Sequence, residues 1–226
     1  MFAINHAATA LIVKKRFPEA PMWLLLISVQ LMEMLWVALN YIGVEYSTTE
    51  NMVSSVLDVH LSYMPYSHSI LSTFVLCFVA WFTISKWFNK PPVAWAVAIA
   101  IASHLVLDLL THSQDIAFAP LVNMDKFGLG LYAMPMLAFI FETVYGIFCW
   151  WIYRGSNALL LTIVLFNLAN FSFLSTTISG LEVYLANNPM LLTTVVFIQI
   201  VVTLVLVGVR SRRGTEYQSS SVVTQS

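Results

Sequence analysis

Apolar residues run along this chain in blocks long enough to be membrane helices, which need about 20 residues each. The blocks cover about 21–43, 67–87, 92–112, 132–153, 157–180 and 189–209. A shorter apolar stretch at 1–13 predicts a first helix that is tilted or only partly inserted. The predicted fold class is therefore an all-α integral membrane protein, a polytopic bundle of about seven transmembrane helices with helix 1 short. In the loop 44–66, Ser47-Thr48-Thr49-Glu50 fits a capping box with Ser47 as N-cap. Val53, Val56, Leu57, His60, Leu61 and Met64 then recur at helical spacing, so a short interfacial helix is expected there, ended by Pro65. The second long loop, 113–131, holds Asp115, Pro120, Asp125, Gly128 and Gly130. The chain divides into a five-helix membrane core at 1–155, a two-helix extension at 156–210 and a Ser/Thr/Gln-rich tail at 211–226 that is expected to be disordered.

Composition sharpens this picture. Of 226 residues, 59% are hydrophobic and 9% charged, against roughly 25% charged in a soluble domain. So few charges cannot cover a water-facing surface. That excludes a soluble globular enzyme, a disordered chain and a nucleic-acid-binding protein, and makes the lipid bilayer the chain's principal partner. Cys77 and Cys149 each sit in an apolar run and read as small buried hydrophobes. No secretory signal is evident, because the basic cluster Lys14-Lys15-Arg16 follows the first apolar stretch instead of preceding it.

The formal net charge of −1 says little, but the placement of the cations says more. If all seven segments cross, nine of the ten Lys and Arg fall on one side: Lys14, Lys15, Arg16, Lys86, Lys90, Arg154, Arg210, Arg212 and Arg213. By the positive-inside rule that side is cytoplasmic, with the N-terminus outside and the C-terminus inside. Lys126 is the exception.

Ionisable residues inside spans cost at least about 2.5–3.5 kcal/mol each at the centre, so they face the bundle interior and mark function. Here they are His6, Glu33, His68, His104, Asp108 and Glu142, with His112 at the outer end of its helix. Glu33, His104 and Glu142 each stand twelve residues from a cytoplasmic boundary, roughly 18 Å at 1.5 Å per residue. His6, eight residues from Lys14, lies at roughly 12 Å. The run His104-Leu-Val-Leu-Asp108-Leu-Leu-Thr-His112 puts three side chains on one helix face. Its His and Asp at i, i+4 can reach one metal ion, and such a set suits zinc, iron or manganese. Singly, each has a plainer role: His–Asp as a structural pair, Glu33 and Glu142 as interhelical hydrogen bonds, His60 at the interface, Glu45 and Asp115 as solvated loop charges unless they fold over the site, Asn167 and Asn170 as packing glue. Together, three histidines and three carboxylates from five helices supply what a metal site embedded in a bundle requires.

Several of these residues sit in motifs. Asn5-His6-Ala7, Leu31-Met-Glu33-Met-Leu-Trp36, Gly43-Val-Glu45, Tyr66-Ser-His68-Ser69, Ser103-His104 with Asp108-Leu-Leu-Thr-His112, and Lys126-Phe-Gly-Leu-Gly130 with Glu142 occur in that order over about 1–155. The set resembles the membrane-bound metal-dependent hydrolases of bacteria, a family that includes LexA-regulated inner-membrane members. Glu33 stands where that family has Asp. The resemblance implies a hydrolase of the bacterial inner membrane that acts on a lipid or membrane-near substrate from the non-cytoplasmic side, through water activated by a divalent metal, zinc first and iron or manganese next. His6, His68, His104, Asp108 and His112 would be the metal residues, with Glu33 and Glu142 catalytic as general base or ligand-orienting groups. Two other functions compete. One is a transporter or proton/ion pathway through the same buried groups, which would be expected to show repeats or helices broken at Gly or Pro. The other is a structural or partner-binding subunit, whose polar residues would pair with each other and leave no open cavity.

Overall fold

The computed structural model describes residues 1–53, 55–122, 124–175 and 180–223. It is predominantly helical: α1 (Ala3–Arg16), α2 (Met22–Val29), α3 (Leu31–Tyr41), α4 (Ile70–Trp87), α5 (Pro91–Thr111), α6 (Pro135–Tyr153), α7 (Asn157–Ala169) and α8 (Pro189–Val223). Among the described residues α4, α5, α6 and the Pro189–Ser211 part of α8 are long and apolar enough to cross a membrane, and α2 with α3 forms a fifth, bent candidate. The expected count of seven is not reached among the described residues. The 14 residues of α1 and the 13 of α7 make helices of about 21 and 20 Å, short of a hydrocarbon core of about 30 Å. The tail expected to be disordered is continued as helix to Val223, and residues 224–226 lie outside the described part.

Helix α1 is short but central. Ala3, Ala7, Ala8 and Ala10 let neighbouring backbones approach, and α1 packs on α2, α5, α6, α7 and α8. The Ala-rich α5 buries the face bearing Ala94, Ala96, Ala100 and His104. By contrast α4 buries only Thr73, and it lies along α5 with Phe74, Phe78 and Trp87 exposed. That surface is stable only where the surrounding medium is itself apolar.

Three predicted elements are corrected. First, the block 21–43 is not one helix but breaks at Gln30, where α2 and α3 meet at 54°. No Gly or Pro stands at the break. Ser28 bonds back to the Leu24 carbonyl at 2.7 Å and the Gln30 side chain donates to the Ala3 carbonyl at 2.7 Å, so side chains compete with the helix ladder and anchor the kink to α1. Second, the block 157–180 stops at Ala169, because Asn167 and Asn170 donate to the Ile163 and Phe166 carbonyls; short 3₁₀ turns follow at Ser172–Leu174 and Leu181–Leu185. Third, the described residues of the loop 44–66 form no interfacial α-helix. Tyr46–Thr49 (β1) and Val59–Tyr63 (β2) pair antiparallel, with Tyr46 opposite Tyr63 and Thr48 opposite His60. Aromatic and β-branched residues outweigh the helical spacing here. The capping box forms at Ser55 and Asp58, around a 3₁₀ turn, and not at Ser47.

The loop 113–131 folds back over the end of α5, where Leu129 and Gly130 N–H groups donate to the Leu109 and His112 carbonyls at 2.7 Å. Gly128 makes this crossing possible. Its φ is +154°, and a Cβ there would lie 1.8 Å from the Ser113 carbonyl oxygen. Gly128→Ala is therefore expected to lift the loop from α5 and to cost about 1–3 kcal/mol in backbone strain. Limited proteolysis would read this as faster cleavage between 113 and 130; unchanged protection would refute it.

The helices proposed as an extension are packed into the core. Both α7 and α8 contact α1, and α8 also lies along α2 and α3.

Candidate metal centre

Ala-rich packing brings α1 and α5 so close that the rings of His6 and His104 stack 3.9 Å apart. The bend at Gln30 brings two more groups to the same place. It leaves the Val29 carbonyl in the final turn of α2, where helix carbonyls lack partners within the helix, and His104 Nδ1 donates to it at 2.7 Å. The bend also creates a new helix start, and Glu33 sits in the first turn of α3, where the helix dipole favours a carboxylate. His68 arrives from the turn that precedes α4, whose N-cap is Ser69.

Four side chains converge: Glu33, His68, His104 and Asp108 each offer one ligand atom, all within 4.8 Å of one another. His68 Nε2 lies 3.1 Å from Glu33 Oε2 and 3.7 Å from Asp108 Oδ2. His104 Nε2 lies 3.6 Å from Glu33 Oε2 and 3.0 Å from Asp108 Oδ2. These separations bracket the edge of about 3.4 Å expected for a tetrahedron of ~2.0–2.1 Å bonds. The side chains of His68, His104 and Asp108 are almost fully buried, whereas that of Glu33 is 25% exposed.

Hydrogen bonds fix which nitrogen of each ring faces the centre. A carbonyl can only accept, so His104 carries its proton on Nδ1. Ser67 Oγ donates to Glu45 Oε2 at 2.5 Å and therefore accepts from His68 Nδ1 at 2.8 Å. With Nδ1 engaged in this way, each imidazole turns its Nε2 toward carboxylate oxygens, and His68 Nε2 lies within hydrogen-bond distance of Glu33 Oε2. His104 Nε2 and Asp108 Oδ2 are 3.0 Å apart, yet neither has a hydrogen-bond partner. A proton on Nε2 or a divalent cation can join such a pair, and this donor set, two imidazoles and two carboxylates, suits zinc, iron or manganese.

The other expected residues take different places. Asp108 uses its second oxygen, Oδ1, toward the Met1 amino group at 2.8 Å and His6 Nε2 at 3.2 Å. His6 therefore braces Asp108 and stacks on His104 but does not join the four. His112 Nε2 stays 3.8 Å from Asp108 Oδ1, and its Nδ1 faces Asp115 Oδ2 at 3.4 Å. Glu142 is fully buried in a separate network: it accepts from Asn5 Nδ2 at 2.6 Å, from the Phe2 N–H at 3.1 Å and from the Tyr132 hydroxyl at 2.9 Å. Burial and the Glu142 charge raise the Tyr132 phenol well above its ordinary pKa, which keeps it the donor in that bond. Asn167 joins the same network through Asn5 at 3.0 Å. His60 pairs with Glu50 at 2.8 Å on the exposed hairpin.

Glu45 is the residue that sequence reasoning undervalued. It is 1% exposed and accepts from the Tyr66 and Ser67 N–H groups at 2.7 and 2.8 Å as well as from Ser67 Oγ. It sets the direction of the Ser67 hydroxyl and, through it, the tautomer of His68. The sequence signals it only through the motif Gly43-Val-Glu45. Glu45→Gln presents an amide N–H₂ to Ser67, reverses the hydroxyl and moves the His68 proton to Nε2. Metal affinity is expected to fall about 10–100-fold, the usual cost of losing such a supporting carboxylate; titration of the chelator-stripped protein with zinc measures it, and unchanged affinity would refute the relay.

Two cavities meet at Glu33. One, of about 400 Å³, runs between α1, the Gln30 bend, the end of α7 and α8; the other, of about 360 Å³, opens beneath the β1–β2 hairpin and the loop 113–131. Comparison of the chain with family models, with curated proteins and with solved structures gives no match.

Proposed function

We propose that this protein is a metal-dependent hydrolase of a bacterial inner membrane, acting from the non-cytoplasmic side on a membrane-near substrate. The observation that carries the reading is the convergence of Glu33, His68, His104 and Asp108, whose ligand atoms lie within 4.8 Å of one another beside two cavities. His68, His104 and Asp108 hold the metal from inside the bundle, with Glu33 completing the set. A bound divalent cation supplies Lewis-acid activation of water and of the scissile bond. Glu33 is the member open to the cavities, and with Oε2 turned to the histidines its second carboxylate oxygen is the one left to take a proton from the attacking water. His6 holds Asp108 in position, and Glu45 acts through Ser67 to orient His68. Burial of the histidines excludes bulk water from the ligand side.

The ordered motifs that resemble the bacterial membrane hydrolases support this reading, and the nine cations that fall on one side if all seven segments cross support the orientation. The cavities weigh against a purely structural role, which expected none. One observation favours a second reading: the break at Gln30, since discontinuous helices at membrane depth serve ion and substrate binding in transporters. Metal analysis separates the readings. Protein purified without chelator is expected to carry stoichiometric zinc, iron or manganese, lost in His104→Ala. A metal-free wild-type protein would overturn the hydrolase and turn attention to ion conduction.

A further inference from the structure

The two cavities share Glu33, Phe173, Leu192 and Val196 but differ in what lies beyond them. Residues found only in the deeper one include Leu185, Val195 and Gln199. Gln199 is ten residues into α8 from Pro189, about 15 Å of helix, so this cavity reaches into the apolar layer, in the size range of ligand sites. Residues found only in the other include His60 and Ser62 of β2 and Asp115 and Lys126 of the loop 113–131. Its charges are not equivalent. Asp115 faces His112 and His60 faces Glu50. Lys126, by contrast, is exposed and has no ion pair among the described residues. It is also the one cation that breaks the positive-inside pattern.

We propose that the two cavities form one bipartite site for a lipid phosphate ester, with the acyl chain in the deep cavity, the phosphate toward Lys126, and the head-to-chain junction at Glu33. The cleavage rests on the hydrolase reading above; the binding does not. Hydrolysis breaks the phosphorus–oxygen bond to the lipid alcohol: the oxygen of one water joins phosphorus, and the alcohol oxygen takes a proton. The chain product stays in the bilayer and the phosphate leaves through the loop-side cavity. No oxidant or other co-reactant is consumed.

The test measures binding of dioctanoyl phosphatidic acid to the full chain in detergent micelles, after metal removal with a chelator. Dioctanoyl phosphatidylcholine, dioctanoylglycerol and inorganic phosphate are the comparison ligands. The phosphatidic acid is expected to bind about fivefold more tightly than the two lipids without net negative charge, as one interfacial lysine allows, and excess inorganic phosphate should not displace it. Lys126→Glu should abolish the preference, and Val195→Trp, which narrows the deep cavity, should weaken all three lipids. Equal binding of the lipids, a preference that survives Lys126→Glu, insensitivity to Val195→Trp, or displacement by inorganic phosphate would each overturn the proposal. Retained binding with no phosphate release from the metal-loaded protein would instead overturn the hydrolase reading and leave the lipid site standing.

Discussion

Replacing Asp108 with Asn is expected to do more damage than any other single change to this chain. Its two oxygens divide the work: Oδ2 faces His104 and His68, while Oδ1 faces the Met1 amino group and His6. An amide at this position removes the negative charge that both sets share and sends an N–H₂ group toward donors on one side. Removing one partner from a buried ionic cluster costs about 3–5 kcal/mol, because the other charge is left buried and uncompensated. Asp108→Asn should therefore show a lower midpoint in unfolding by sodium dodecyl sulfate and lose its metal. A variant that kept wild-type stability and metal content would remove Asp108 from the centre of the site.

Glu33 and Glu142 give the second large contrast. Sequence alone assigned both to catalysis, at matching depths. In the structure Glu33 belongs to the four-residue group and faces the cavities, whereas Glu142 spends both oxygens on Asn5, Phe2 and Tyr132. Glu33→Gln should lower the hydrolytic rate by about 10²–10⁴, the range for loss of a positioned general base, while the chain keeps its fold, since this side chain is already a quarter exposed. Glu142→Gln should leave the metal in place but lower stability by about 1–3 kcal/mol, the cost of leaving a buried polar group unmatched. Comparison of turnover, bound metal and unfolding midpoint for the two variants decides the matter. If Glu142→Gln abolished turnover at wild-type stability while Glu33→Gln did not, the roles would be reversed.

The residues of the site were legible because burial of a charge in a membrane helix is expensive, so every ionisable residue inside an apolar block stands out. His104 and Asp108 could be paired from sequence, since a four-residue step on one helix fixes their common face. Glu45 could not be read in this way. In a loop an acid costs nothing to expose, and only the turn Tyr66-Ser67 folding back onto it buries it. The 44–66 loop was misread as a helix because its apolar positions fit both periods; strand pairing between Tyr46–Thr49 and Val59–Tyr63 is a contact between distant segments that no local window contains.

The sequence by itself determined the solvent of this protein, its helical class and the short inventory of residues that can do chemistry, because those follow from composition and from the cost of charge in hydrocarbon. Only the tertiary structure decided which of those residues meet. The bend at Gln30 is set by a side chain reaching the Ala3 carbonyl on another helix, and it is this bend that aims Val29 and Glu33 at His104. Periodicity describes one helix at a time. The direction of a ring nitrogen depends on the partner that a neighbouring helix brings to its other side.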